Sequence, residues 1–183
     1  MKKKTDYSWV IKTVIISFIV SVVFTFASAE VLGSAGYIMA FVVLAVFIAI
    51  GIVFEIIGVA VTAASDKPFH SMASRRVRGA TESIALIRNA EKVASFCNDI
   101  VGDVSGIVSG ATAVIIAAKL INDLQTQSVT WQIVISGIVA ALTIGGKALG
   151  KATAINRSTE IVFAVGRILH FFGRLIPKRK RNR

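Results

Sequence analysis

Three acids and one lysine interrupt the most apolar parts of this 183-residue chain. Ionisable side chains are costly to place in such runs, so each is a candidate functional residue. Amide and hydroxyl oxygens lie close to these acids along the sequence. Oxygen donors without a thiolate or imidazole among them suit Mg²⁺ or Ca²⁺ better than zinc or copper. We therefore predict a site for Mg²⁺ or Ca²⁺ with these ligands: Glu55, Thr62, Asn98, Asp99, Asp103 and Ser105.

The same residues also have a purely structural interpretation. Lys147, and Lys151 one turn later, could pair with Asp103 or Glu55 and fix helix register without binding an ion. The glycines at 102, 106 and 110 are spaced to let two helices approach closely. Spacing alone leaves both interpretations open.

The elements that must position these residues are apolar helices. Hydrophobic residues make up 55% of the chain, and the mean hydropathy is +0.74. Four continuous apolar segments, 9–29, 35–64, 100–120 and 131–149, exceed or approach the roughly 20 helical residues that cross a bilayer. They lack the two-residue alternation of barrel strands. We therefore predict an all-α membrane protein with about four transmembrane helices, in which Glu55, Asp103 and Lys147 lie at similar depth.

The 21 Lys and Arg residues predict the orientation. They cluster before the first segment, between the second and third, and after Lys147, whereas the first connection has none. Basic residues favour the cytoplasmic side, so we expect a multi-pass protein of the cell membrane with both termini inside. The start "MKKK" followed by "FASAE" is also typical of a cleaved secretory signal, which would leave three spans and an outside amino end.

Two amphipathic segments are expected to lie on the cytoplasmic surface. One is a juxtamembrane helix between the second and third spans, and the other is the basic tail at 155–183, which follows a transmembrane domain at 1–154. The final "KRKRNR" suits anionic lipid headgroups. No nucleic acid is expected, because the basic residues lack interleaved aromatic side chains.

Nothing in the sequence indicates catalysis. Cys97 is a lone cysteine, and His70 and His170 share no metal-ligand spacing. The chain has no phosphate-binding loop, Ser/His/Asp set or zinc pattern. We therefore do not expect an enzyme.

The region 51–112 resembles the transmembrane domain of the CorB/CorC and cyclin-M (CNNM) family of magnesium transport proteins. The resemblance lies in "FEIIGVAVTAASDKPFHSMASRRVRGA" and "LIRNAEKVASFCNDIVGDVSGI". In that family a Phe-Ser-x-x-Glu-x-Ala-like motif ends one span, a basic juxtamembrane helix follows, and a Gly-Asn-x-x-x-Asn-like motif begins the next. Phe54, Ala60 and Asn98 match these motifs, whereas Glu55 stands in place of the serine and Gly102 in place of the second asparagine.

The resemblance implies a homodimer that holds partly hydrated Mg²⁺ in a cavity open to the cytoplasm. Of the family's cation-site positions only Asn98 is matched directly. Glu55 and Asp103 are acids that lie a few residues away from the family's motif positions. The chain also has an additional first span, and with only 155–183 left we expect no nucleotide-sensing CBS pair, as in short bacterial CorB-like proteins. We therefore predict divalent-cation transport or binding. The alternative is a non-transporting membrane interaction or accessory protein, in which the same acids form structural ion pairs.

Overall fold

The computed structural model describes residues 7–34, 36–123 and 129–175, and within these ranges every regular element is helical. This confirms the all-α prediction. The helices are α1 (Tyr7–Ser34), α2 (Tyr37–Ala63), α3 (Lys67–Ser74), α4 (Ala80–Arg88), α5 (Ala90–Ser95), a π-helix (Phe96–Gly102), α6 (Asp103–Asp123), α7 (Val129–Asn156) and α8 (Ser158–Leu175).

Four helical stretches are long and apolar enough to cross a membrane, as predicted: Ser8–Ser28, Tyr37–Ala63, Ala90–Ile121 and Thr130–Asn156. Large apolar side chains are exposed along them, among them Phe18 on α1, Ile38 on α2 and Ile144 on α7. Such surfaces are unfavourable in water and suit a lipid environment. These stretches indicate a multi-pass membrane protein.

The third and fourth stretches differ from the predicted segments. The third runs from Ala90 rather than 100, because α5, the π-helix and α6 follow one another without a break, and the fourth continues to Asn156 rather than 149. Hydropathy locates the apolar part of a helix. It does not locate the helix ends, which extend into polar sequence where the backbone bonds can continue.

The juxtamembrane segment is not the single helix that we expected. It forms α3, α4 and α5, with a break between α3 and α4 at which Arg76 and Gly79 have positive φ angles of 57° and 92°. A positive φ cannot continue a right-handed helix, and glycine adopts it at little cost. The break therefore turns the chain between two short helices.

The chain divides into two compact units. The first contains Met1–Phe54 and Asn98–Ala148. In it α1 packs along α6, Phe24 meets Phe47 edge to face at 5.5 Å, and Ser28 Oγ lies 3.3 Å from Thr112 Oγ1. Its buried apolar core includes Ala40, Leu44 and Ile116. The hydroxyl pair and this core fix which faces of the helices meet.

The second unit contains Glu55–Cys97 and Leu149–Arg183. Its core consists of Ala60, Val61, Phe69, Ala154 and Val162. Phe69 of α3 is fully buried, and α4 packs against α3 and α8. The short helices are therefore held by tertiary packing, which they need because helices of this length are marginal alone. The predicted lipid-binding residues at 178–183 lie outside the described residues.

Candidate functional site

The six predicted cation ligands divide between the two units. Glu55 and Thr62 belong to the second unit, and Asn98, Asp99, Asp103 and Ser105 belong to the first.

Glu55 is an ion-paired carboxylate in the second unit. Its Oε1 lies 3.0 Å from Lys151 Nζ, and its side chain is only 8% exposed while that of Lys151 is 54% exposed. Burial makes an unpaired carboxylate costly, and the ammonium offsets that cost. The structural alternative is therefore realised at Glu55, with Lys151 as its partner.

Thr62 uses its hydroxyl within its own helix. Its Oγ1 donates to the carbonyl of Val59 at 2.8 Å, and the side chain is exposed. Back-bonding of this kind is the ordinary behaviour of threonine in a helix. Thr62 thus has no feature here that distinguishes a ligand from a helical threonine.

Two buried oxygens of the first unit find no hydrogen-bond partner among the described residues: Asn98 Oδ1 and Ser105 Oγ. Ser105 is 1% exposed. Asn98 lies in the π-helix, and Ser105 lies in the first turn of α6. Buried polar atoms in folded proteins nearly always have a partner, and π-helical turns occur frequently at functional sites. These two oxygens are the strongest structural indication of a binding site in the first unit.

Gly51 of α2 lets the neighbouring helices approach Ser105. A Cβ placed on Gly51 would lie 3.3 Å from Ser105 Cβ, 3.7 Å from the Gly102 carbonyl oxygen and 3.9 Å from Lys147 Cε. Lys147 Nζ in turn donates to the Gly102 carbonyl at 3.3 Å. A backbone carbonyl, a hydroxyl and an ammonium therefore come together where α2, α6 and α7 meet.

Asp99 and Asp103 lie on the exposed surface of the same helical stretch. Together with Lys147 they give this end of the first unit two carboxylates and one ammonium, which is one net negative charge. Charged side chains on a membrane-spanning stretch require water, a counter-ion or another protein surface. Among the described residues no group of three or more His, Cys, Asp and Glu side chains could hold a metal ion.

Sequence reasoning missed two parts of this arrangement. It gave no role to Gly51, although this residue provides the close approach to Ser105. It also gave no sign of the π-helix at Phe96–Gly102. The glycine at 51, which has no side chain, was the available signal for the approach. Lys147 donates to the Gly102 carbonyl, and its predicted pairing with Asp103 or Glu55 stays a prediction.

No protein-family model, curated protein or solved structure matches this chain. The resemblance to the CorB/CorC and cyclin-M family stays a prediction.

Proposed function

We propose that this protein binds and transports a divalent cation, with Mg²⁺ as its substrate. The observation that carries the proposal is the pair of buried, unpartnered oxygens on Asn98 and Ser105 in a membrane-spanning stretch. An ion or its water shell would supply the partners that these oxygens lack. Asp99 and Asp103 supply the negative charge.

The seven-residue spacing of Asn98 and Ser105 favours a hydrated ion. Seven residues correspond to about 10 Å along a helix axis, whereas direct Mg²⁺–oxygen bonds are about 2.1 Å long. One ion cannot bind Asn98 and Ser105 directly at once unless the helix is distorted. Mg²⁺ commonly keeps several of its waters in proteins, so it can bind one residue directly and reach the other through water.

The exposed acids also favour a homodimer in the cytoplasmic membrane. Asp103 lies on the surface of a stretch that is apolar enough to span. If Asp103 faces a second copy across a water-filled cavity, its carboxylate is kept away from lipid. Both termini would lie in the cytoplasm. The basic tail would lie on anionic headgroups of the same leaflet.

Mg²⁺-dependent thermal stability tests the cation site. For a Kd of about 1 mM, about 10 mM Mg²⁺ stabilises the folded protein by about 1.4 kcal/mol. We expect the wild type to gain stability over NaCl of equal ionic strength, and Asn98→Ala and Asp103→Asn to lose most of that gain. Asn156→Ala and Asp123→Asn are the matched controls and should keep it. A gain unchanged in both site variants would remove these residues from the site.

Flux measurements separate binding from transport. Proteoliposomes that contain a Mg²⁺-sensitive dye should fill faster with wild-type protein than with Asp103→Asn, while Asp123→Asn should resemble the wild type. Absence of wild-type flux together with Mg²⁺-dependent stability would leave a cation-binding protein that does not transport.

A non-transporting accessory protein is the second candidate, and the Glu55–Lys151 pair favours it. In that case Glu55→Gln lowers stability equally with and without Mg²⁺, and no variant of the first unit changes the response to Mg²⁺. The two candidates therefore predict opposite results for Asp103→Asn in the stability experiment.

A further inference from the structure

The crossing of α4 and α8 in the second unit brings two backbones into direct contact. A Cβ on Gly79 would lie 2.8 Å from the Arg167 nitrogen, and a Cβ on Gly166 would lie 2.6 Å from the Gly79 carbonyl oxygen. Ser83 Oγ, which is fully buried, lies 2.9 Å from the Gly79 carbonyl oxygen and 3.2 Å from the Val162 carbonyl oxygen. Only glycine fits these two positions without displacing a helix.

This contact places two arginines on one cavity. Arg78 directly precedes Gly79, and Arg167 directly follows Gly166. Both line an open cavity of about 510 Å³, together with Ala164, Ile168, His170, Phe171 and Phe172. The arginines belong to segments far apart in sequence, so the cavity is a product of the fold.

The cavity carries positive charge that the described carboxylates do not neutralise. Arg78 and Arg167 are exposed, and neither forms an ion pair within the described ranges. Arg167 instead lies over the Phe163 ring at 6.0 Å. Glu82 of α4 contacts His170 at 2.8 Å. Two guanidinium groups therefore remain available for an anion, and their paired N–H donors match phosphate oxygens.

The rest of the wall is apolar and exposed. Ile168, Phe171 and Phe172 are 55%, 65% and 56% exposed. A free inorganic anion would leave these side chains uncovered, whereas the acyl chains of a lipid would cover them. The position of α8 along the chain also favours a lipid, because α8 begins two residues after the end of the Thr130–Asn156 stretch. A site this close to a span lies at the membrane surface.

We propose that the cavity between α8 and the turn that precedes α4 binds an anionic phospholipid. Arg78 and Arg167 hold its headgroup phosphate, and Ile168 and Phe171 contact its acyl chains. The residues named for this site differ from the final "KRKRNR" at 178–183, and the site does not depend on the cation site of the first unit.

Lipid titration of the purified full-length protein tests the proposal. The probes are dioleoyl phosphatidylglycerol and dioleoyl phosphatidylcholine, added in detergent and followed by native mass spectrometry and thermal stability. We expect phosphatidylglycerol to bind the wild type preferentially. Arg78→Gln and Arg167→Gln should each weaken its binding about tenfold, as expected for the loss of one charge-assisted contact of about 1.4 kcal/mol.

Two controls make the result specific. Arg88→Gln removes the same charge from the exposed end of α4, and Lys178→Gln with Arg179→Gln removes charge from the tail. Both should leave the affinity for phosphatidylglycerol within twofold of the wild type.

An equal loss in Arg88→Gln would overturn the proposal in favour of general electrostatic attraction, and equal binding of phosphatidylcholine would remove the role of headgroup charge. Inorganic phosphate that competes as strongly as the lipid would show a phosphate site, and would also overturn it.

Discussion

Ser105→Ala tests whether the Ser105 hydroxyl lacks a hydrogen-bond partner when no cation is bound. Ser105 is 1% exposed, and its Oγ has no hydrogen-bond partner among the described residues. A buried, unpaired hydroxyl costs about 1–3 kcal/mol of folding free energy. Removing it should therefore raise the free energy of unfolding when no divalent cation is present.

Ser109→Ala is the matched control. Ser109 lies one turn later on α6, is 2% exposed, and donates through Oγ to the Gly106 carbonyl at 3.0 Å. Both variants gain the same helix propensity, about 0.5 kcal/mol. Ser109→Ala also loses a hydrogen bond of about 1 kcal/mol. Ser105→Ala should thus be the more stable variant by about 2–4 kcal/mol in chelator.

The assay is reversible unfolding in mixed micelles, followed by circular dichroism with chelator and with Mg²⁺. Mg²⁺ should stabilise the wild type and Ser109→Ala by the same amount and Ser105→Ala by less. Two results would refute this reasoning. In one, Ser105→Ala is as destabilised as Ser109→Ala in chelator, which would mean that the hydroxyl is already bonded. In the other, both variants gain equally from Mg²⁺.

Three further predictions concern charge and packing. Lys151→Ala should lower stability by about 1–3 kcal/mol, less than for a fully buried pair, because it removes an ammonium 3.0 Å from the buried Glu55 carboxylate while the lysine itself is half exposed; thermal unfolding measures this, and an unchanged midpoint would contradict it. Gly166→Ala should cost about 1–3 kcal/mol by overpacking, whereas Gly173→Ala, with open space around it, should not destabilise; equal midpoints would argue against the close crossing. Lys147→Gln should tighten Mg²⁺ binding several-fold in a calorimetric titration, because it removes the positive charge beside the Gly102 carbonyl, next to Asp103 in the chain, and weaker binding would show that this residue organises the site instead.

The four long helices were predictable because their signal is local. A run of about 20 apolar residues must satisfy its own backbone bonds in lipid, and only a helix does so within one segment. The ends were less predictable. Hydropathy fell near residue 100, yet the helical stretch begins at Ala90, because helix termination depends on capping and backbone geometry as well as on polarity.

The juxtamembrane region shows where sequence periodicity is insufficient. Its apolar residues recur near helical spacing, but Arg76 and Gly79 take positive φ angles and divide the segment. The reason lies in tertiary contact, since Gly79 packs on the backbone of α8 at Arg167. A glycine can be read from the sequence, whereas the distant helix that requires it cannot.

The candidate site was predictable in its residue types and only partly in its contacts. An acid among apolar residues identified Glu55, but its contact with Lys151 depends on the rotation of α7, which spacing alone does not give. Asn98 and Ser105 were both named as ligands from their type and position. Their lack of a partner is a property of the packed structure, and no spacing rule could have shown it.

The position of a bound cation tests the central claim most directly. A structure determined with Mn²⁺ in place of Mg²⁺ would locate the ion by its anomalous scattering. We predict a peak in the first unit within one water layer of Asn98, Asp103 or Ser105, and its loss in Asp103→Asn. A peak elsewhere, or no peak at Mn²⁺ concentrations that stabilise the protein, would contradict the claim.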